Sequence, residues 1–411
     1  MSTPPTVTTY PPKRDMRCPF DPPRALLDLQ AQPTLGRVRI WDGGEAWLVT
    51  RYDDARAVLA DERFSVNPTL PGFPEKSAAY SQIMGRDHNL RTMDNPEHSV
   101  QKRMLARDFT VRRIEEMRPA IQERVDTLID AILAKGMPAE LWEDFAFPIP
   151  TMVICELLGV PYADRDYFAH RSHICTSHEV TAEEAATAGR ELSEYLDTLV
   201  TLKEGQPEND LVSRLVHEQM LPGHLSRKDT IELARFILIA GHETTANTVA
   251  LSTIALLENP EQLEFLKANI GDKAILTNAV DELLRYLSVA HTGRRRVALE
   301  DVQVGGTLIR KGEGVIIANN VADRDPAAFP APAVLDLKRP NARANVAFGY
   351  GMHQCLGQLL SRVELQIAHG TLWRRMPDLK LAVPFEELQF REDTPVFGVR
   401  AVPVVWGDQS K

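Results

Sequence analysis

The spacing of apolar positions changes along the chain, and each change marks an element. Two alternating stretches, Val38 to Trp41 and Ala46 to Thr50, flank Asp42-Gly43-Gly44 and predict a β-hairpin. A short helix follows from about Asp53 to Asp61. From Phe64 to Met93 no period holds, because Pro68, Pro71, Gly72, Pro74 and Gly85 interrupt Leu70, Phe73, Ile83 and Met84. A loop of that length is more often functional than idle. Helical spacing then dominates to about Glu258, with capping boxes at Thr181-Ala-Glu-Glu184 and Ser226-Arg-Lys-Asp229. The second box opens a helix of roughly 50 Å at 1.5 Å per residue. Its middle, Phe236 to Ala240, is apolar all round and is expected to be buried. Arg294 to Asn319 reads as strands broken at Gly305-Gly306 and Lys311-Gly312-Glu313-Gly314. A last helix carries Leu359, Leu360, Val363 and Ile367 and stops at Pro377.

Composition adds bounds. With 411 residues, 44% of them hydrophobic, the chain can bury a large core. Length alone suggests two or three domains, yet no repeat or low-complexity linker divides it, and one large domain is an equal reading. Cys18, Cys155, Cys175 and Cys355 are too few and too scattered for a disulfide framework, which fits a reducing cytoplasm. Met1 to Pro23 is rich in proline and polar residues, without a signal peptide or the roughly 20 apolar residues of a membrane span. A net charge of −10 argues against nucleic acid as a general partner. Cys175 and His178 lie in the connection Ile174 to Val180, and two such residues in a short loop read as part of a lid rather than as a metal site.

Two stretches break local rules, as functional sites do. Gly241-His242-Glu243-Thr244-Thr245 lies inside the apolar helix, where glycine costs about 1 kcal/mol relative to alanine and a buried carboxylate costs more unless paired. Phe348-Gly-Tyr-Gly-Met-His353-Gln-Cys355-Leu-Gly357 surrounds a cysteine with glycines that allow tight turns and close approach of a flat ligand. Cys355 falls at or just before a helix N-terminus, where exposed amides and the helix dipole favour a thiolate. A loop of this kind suits an axial haem ligand. His98 and Lys102 stand four apart on a helix opened by Asp94-Asn-Pro96-Glu97, and share one face suited to an anion.

The cysteine segment resembles the haem-binding loop of the cytochrome P450 family, F-x-x-G-x-H-x-C-x-G, at every specified position. Three further motifs stand in the family's order: the His98 segment, with Lys102 in place of the usual arginine; Ala240-Gly241-x-Glu243-Thr244-Thr245; and Glu282-Leu-Leu-Arg285 followed by Arg339. The resemblance covers Val38 to Trp406 and is nearest in texture to the actinomycete group that oxidises macrolides, statins, secosteroids and herbicides. It implies a mostly α triangular prism with smaller β-sheets, residues 35–411 forming one domain after an extension of residues 1–34. It implies haem b with Cys355 as the iron ligand, whose thiolate favours O–O cleavage. Phe348, Gly349 and Gly357 would surround the sulfur, and His353, His98, Lys102 and Arg296 would hold the propionates. The neighbouring Arg294 and Arg295 leave the register of that last arginine open. Ala240 and Gly241 would lie on the distal side, Gly241 making room for dioxygen, with Thr244 and Glu243 supplying protons. Glu282, Arg285 and Arg339 would lock the fold. Leu70, Phe73, Ile83, Met84, Ile237, Ala240, Val289, Thr292, Val396 and Phe397 would line the substrate pocket.

The activity implied is insertion of one oxygen atom from O2 into a C–H bond of a lipophilic small molecule, by a soluble enzyme without a membrane anchor. No flavin or iron–sulfur segment is visible, so electrons would come from NAD(P)H through a ferredoxin and its reductase. The ferredoxin would dock near Arg103, Arg107, Arg112 and Arg362. Alternatives are a nitric oxide reductase or peroxygenase of the same fold, against which Glu243-Thr244 argues, and a haem-based ligand sensor or carrier.

Overall fold

The computed structural model describes residues 6–7, 9–76, 89–176, 180–391 and 395–407. These are mostly helical, with small sheets. The chain forms two compact units. One comprises Met1–Ser99, Leu251–Cys355 and Pro384–Val399, the other Val100–Ala250, Leu356–Val383 and Arg400–Lys411.

The first unit is built on a sheet of six strands in the order Thr6–Val7, Gly36–Arg39, Glu45–Val49, Gly314–Ile317, Arg294–Ala298, Phe64–Ser65. The hairpin forms as the alternation predicts, with Val38 opposite Ala46 and Gly43 at φ 85° in the turn. Register then decides which side chains share a face, because side chains alternate along a strand. Trp47, Val315 and Arg296 align across three strands, as do Leu48, Ile316 and Arg295 one position along. The first set backs onto a core of Tyr52, Phe64, Phe329 and Val346, the second onto Tyr10, Leu26 and Leu29. Residues before Gly36 look irregular in sequence, yet they supply a strand, the helix Arg24–Gln30 and the buried Tyr10. Proline-rich composition hides this, since two residues of parallel pairing carry no periodic signal.

The expected ion network is present in the same unit. Arg285 Nε and Nη2 donate to the two Glu282 carboxylate oxygens at 2.7 and 2.8 Å. Arg339 Nε donates to both of them at 3.1 and 3.0 Å. All three side chains are essentially inaccessible, and the remaining guanidinium hydrogens go to the carbonyls of Asp323, Pro330, Pro332 and Val334.

In the second unit the helix Val111–Lys135 buries Ile114, Met117, Ile121, Val125, Ile129 and Ile132, a stripe at spacings of three and four. It packs on the helix Gln358–Arg375, whose Gln366 and Thr371 bond Arg118 and Gln122 at 3.0 and 2.8 Å. The capping box at Thr181 forms in both directions and starts the helix Ala182–Gly205. At the start of the helix Arg227–Leu257, Asp229 N–H donates to Ser226 Oγ at 3.0 Å and Ser226 Oγ donates to the Asp229 carboxylate at 2.6 Å. No helix among the described residues is long and apolar enough to cross a membrane.

Candidate functional site

The loop carrying Cys355 is closed by its own backbone. Cys355 N–H donates to the Phe348 carbonyl at 2.9 Å, and Gly349 and Gly351 take φ of 76° and 71°, a region that strongly favours glycine. A side chain at Gly349 would place its Cβ 3.0 Å from Arg294 Nε, so the glycine also leaves room for that guanidinium. Cys355 is exposed, and the next helix starts three residues later at Gln358. Its N-cap is Gly357, which has no side chain with which to cap it.

Around this loop, within the first unit, the structure gathers basic groups. The rings of His98 and His353 lie 4.1 Å apart, and His98 is buried. Arg296 is 5% exposed, and its Nη2 has no hydrogen-bond partner among the described residues. Burial, aided by the like charge of Arg294, brings its pKa down to about 9, with Asp94 pulling the other way. The Asp94 carboxylate is already engaged by Ser65 Oγ and by Val66 N–H at 3.0 Å. Strand alternation divides the arginines: Arg296 and Arg294 share the face of Trp47 and Val49, while Arg295 faces the other way and donates to the Thr292 carbonyl at 2.8 Å. Lys102 lies one turn beyond His98 on the helix Glu97–Ala106 and is half-buried.

Basic groups with an unsatisfied guanidinium, beside a glycine-framed thiol, fit haem b, which carries two carboxylates and an iron that a thiolate can bind. They would hold the carboxylates through Arg296, His98 and His353 and the iron through Cys355 Sγ. The donor set therefore defines a haem-thiolate protein.

In the second unit, the long helix shows why its motif is built as it is. The apolar middle is not buried all round: Ile237 and Leu238 are buried, but Ala240 is exposed and Phe236, Glu243 and Thr244 are part-exposed. These four recur at i, i+4, i+7 and i+8, so the helix keeps one accessible stripe. Of the two residues of this run expected near substrate, Ala240 lies on that stripe and Ile237 lies off it, 6% exposed. Gly241 has a packing reason as well. A Cβ there would fall 2.8 Å from Ile154 Cδ1 on the helix Pro148–Leu158, so the glycine also permits a close helix contact.

The two threonines differ. Thr244 Oγ1 back-bonds to the Ala240 carbonyl at 3.2 Å, while Asn247 and Thr248 bond the carbonyls of Glu243 and Thr244. Thr245 instead meets Ser361 Oγ at 3.1 Å. It also hydrogen-bonds Glu364, a residue the sequence reading missed. The only signal was a carboxylate among apolar positions of the last helix. Glu364 is 2% exposed, and burial pushes its carboxyl up to about 8 against the Thr245 bond. It is then largely protonated at neutral pH, and folding costs more as pH rises, because the unfolded carboxyl ionises from about 4.5. The penalty grows between about 4.5 and about 8 and is constant above. Glu364→Gln should flatten this slope by on the order of a few kcal/mol. Urea titrations at pH 5 and pH 8 check it, and parallel behaviour of the two proteins would rule it out.

The substrate-side residues divide. Phe397 N–H donates to the Val289 carbonyl at 2.8 Å, so the structure joins the two segments expected near substrate. The Phe397 ring itself is 1% exposed, stacked on Phe390 and capped by Arg14 at 4.1 Å, which makes it core rather than lining. Val289, Thr292 and Val396 are half-buried, as are Leu70 and Phe73. Ile83, Met84 and His178 lie outside the described residues. Of the basic residues expected to dock a ferredoxin, Arg107 and Arg112 are open to solvent and Arg103 is exposed. Arg362 is buried and bonds Gln358 at 3.0 Å, which withdraws it from that surface.

Comparison with known proteins gives the family. The family model for cytochrome P450 matches residues 177–377. Cytochrome P450-SU2 of Streptomyces griseolus is 45% identical over 98% of this chain and 98% of its own length. Pentalenic acid synthase of Streptomyces avermitilis is 46% identical over 96% of each. The crystal structure of MycCI from Micromonospora griseorubida, a mycinamicin VIII C21 methyl hydroxylase, superposes with a TM-score of 0.89 at 39% identity, covering 97% of this chain and 100% of that one. The chain belongs to the cytochrome P450 family. It is accordingly a P450 oxidoreductase that uses haem b, with electrons reaching it indirectly from NAD(P)H through redox partners.

Proposed function

We propose that the protein is a ferredoxin-dependent monooxygenase of the cytoplasm that hydroxylates an unactivated C–H bond of a lipophilic small molecule of macrolide, steroid-like or terpenoid type, or a xenobiotic. The overall change is R–H + O2 + 2 H⁺ + 2 e⁻ → R–OH + H2O. Residues 35–411 act as one catalytic unit, preceded by an extension of residues 1–34. The observation that carries the reading is the exposed Cys355 in a backbone-closed, glycine-framed loop. MycCI, crystallised with mycinamicin VIII, supports the substrate class.

When bound, haem supplies the oxygen chemistry and the protein supplies everything around it. Cys355 Sγ is the iron ligand, shielded by Phe348 and framed by Gly349 and Gly357. Arg296, His98 and His353, with Lys102 in a lesser role because it lacks a bidentate fork, hold the carboxylates. The reaction consumes two protons in a site that must stay dry, so proton delivery is the chain's task. Thr244 Oγ1 delivers them, helped by the accessible stripe on which it lies with Ala240, beside Gly241. Glu243, one residue before it on the same helix, connects it to solvent. Glu364, protonated and bonded by Thr245, holds a further proton behind that helix. Val289, Thr292, Val396, Leu70 and Phe73 supply the substrate-facing surface.

The test is reconstitution with a ferredoxin and its reductase, using a compound chosen by its spin-state shift. Thr244→Ala should keep oxygen uptake within about threefold while product per O2 falls several-fold and peroxide rises; fully coupled turnover would remove Thr244 from this role. In the same assay Arg107→Glu with Arg112→Glu should slow reduction without changing substrate affinity. Unchanged reduction kinetics would move the ferredoxin to another surface, and ligand binding without any substrate-dependent oxygen uptake would favour a sensor.

A further inference from the structure

We propose that Arg294 is a second guanidinium grip on the haem carboxylates, a positioning residue that works beside Arg296 and ties the sheet to the cysteine loop. The inference rests on the haem reading above and adds a residue to it. Three arginines follow one another at 294–296, and a strand sends them to alternate faces. Arg294 stands opposite Ile317 and Arg296 opposite Val315. Both partners belong to the core cluster that also holds Val346, with Tyr350 of the cysteine loop packed against it. Arg295 stands opposite Ile316, on the face of Tyr10 and Leu26.

On the first face the charges do not balance. Arg294 Nε and Arg296 Nη2 are both buried without a hydrogen-bond partner among the described residues. Arg294 Nη2 makes a long contact to the Ala347 carbonyl at 3.4 Å. A buried guanidinium nitrogen without an acceptor costs on the order of 1–3 kcal/mol, and two like charges on one strand face add to that. Burial lowers the proton affinity of both groups, with the charge of Arg294 lowering that of Arg296 further. One nearby carboxylate, Asp94, is already bonded by Ser65 and Val66. Cys355 also acts electrostatically on Arg294, but its sulfur would be taken by the iron, so two guanidinium groups against one engaged carboxylate leave a demand for negative charge. Haem b brings two carboxylates, and Arg294 would share them with Arg296, His98 and His353.

Position gives Arg294 a second consequence. Its Nε lies 3.0 Å from where a Cβ at residue 349 would be, so the guanidinium lies against the loop that carries Cys355. A cation held there favours the reduced state, since reduction lowers the net positive charge of the iron. Arg294 thus helps to set how readily the enzyme accepts its first electron.

The experiment compares holoprotein variants Arg294→Leu, Arg294→Gln, Arg294→Lys and Arg295→Leu. Three properties are read: the ferrous CO spectrum, the rate of haem transfer to apomyoglobin, and the one-electron reduction potential. With the thiolate CO band unmoved, Arg294→Leu and Arg294→Gln should release haem about tenfold faster. Their equilibrium constant for reduction should fall about tenfold, which is about 59 mV. Arg294→Lys should recover most of the potential and little of the retention, because lysine restores charge without the fork. Arg295→Leu, on the opposite face, should match the parent in both. Haem transfer and potential within twofold of the parent in both neutral variants would overturn the inference while leaving the haem reading intact. A parent protein without the thiolate CO band would instead overturn that reading. Should the leucine variant yield no folded pigment, the glutamine and lysine variants decide.

Discussion

Cys355→Ser should give a protein that folds, lacks the red-shifted ferrous CO band, and forms product only at background level. The reason is one atom. A thiol ionises near pH 8.5 and lower beside helix amides or cations, whereas a serine hydroxyl stays protonated at neutral pH and cannot act as the anionic ligand that favours O–O cleavage. The loop should survive, because its closure uses the Cys355 backbone N–H and the Phe348 carbonyl rather than the sulfur. Far-ultraviolet circular dichroism should therefore be unchanged while the Soret spectrum moves. Cys18→Ser supplies the contrast: that thiol is also exposed, but it lies outside the loop, and both spectrum and activity should match the parent. A serine enzyme at residue 355 with parental pigment and turnover would end the assignment.

What the sequence reveals, and what it conceals, follows from how local each cause is. The hairpin at Asp42-Gly43-Gly44, the capping boxes at Thr181 and Ser226, and the strands after Arg294 depend on neighbours a few residues apart, and they appear as read. Motif order even brought Glu282 and Arg339 together across 57 positions, because the resemblance carried information that periodicity lacks. Failures occur where a side chain's face depends on distant packing. Phe236 to Ala240 looks uniformly apolar, yet Ala240 is exposed and Ile237 buried, since nothing in the run says which side meets protein. Phe397 reads as pocket wall because its segment approaches Val289, but the nearby Phe390 and the distant His291 and Arg14 enclose its ring. Arg362 reads as a surface cation until the helix Gln358–Arg375 is seen to be almost wholly buried. The register of Arg294 to Arg296 is a matter of one residue, and a slip of one reverses every side chain on a strand, so only pairing with Gly314–Ile317 could fix it.

Glu282→Ala should cost about 3–5 kcal/mol of stability, the range for removing one partner of a buried ion pair. The geometry places it toward the upper end. Glu282 is fully buried and accepts from two guanidinium groups at 2.7–3.1 Å and from Asp336 N–H at 3.0 Å. Without the carboxylate, Arg285 and Arg339 keep their carbonyl partners but retain two positive charges in the core and lose the anion that both contact. Glu282→Gln keeps the shape and two polar atoms, so it restores hydrogen bonds without the charge and should fall between. Arg339→Lys should not be mild, because one ammonium cannot contact both Glu282 oxygens and also reach the carbonyls of Pro330 and Val334. Denaturant midpoints of the haem-loaded proteins give the order: parent, then Glu282→Gln, with Glu282→Ala and Arg339→Lys lowest. The network fastens Lys273–Leu287 to the segment around Pro330 and Arg339, in the same unit as the cysteine loop. Its loss should therefore also raise the rate of haem release, and an alanine variant within 1 kcal/mol of the parent would show that the network is not what holds that segment.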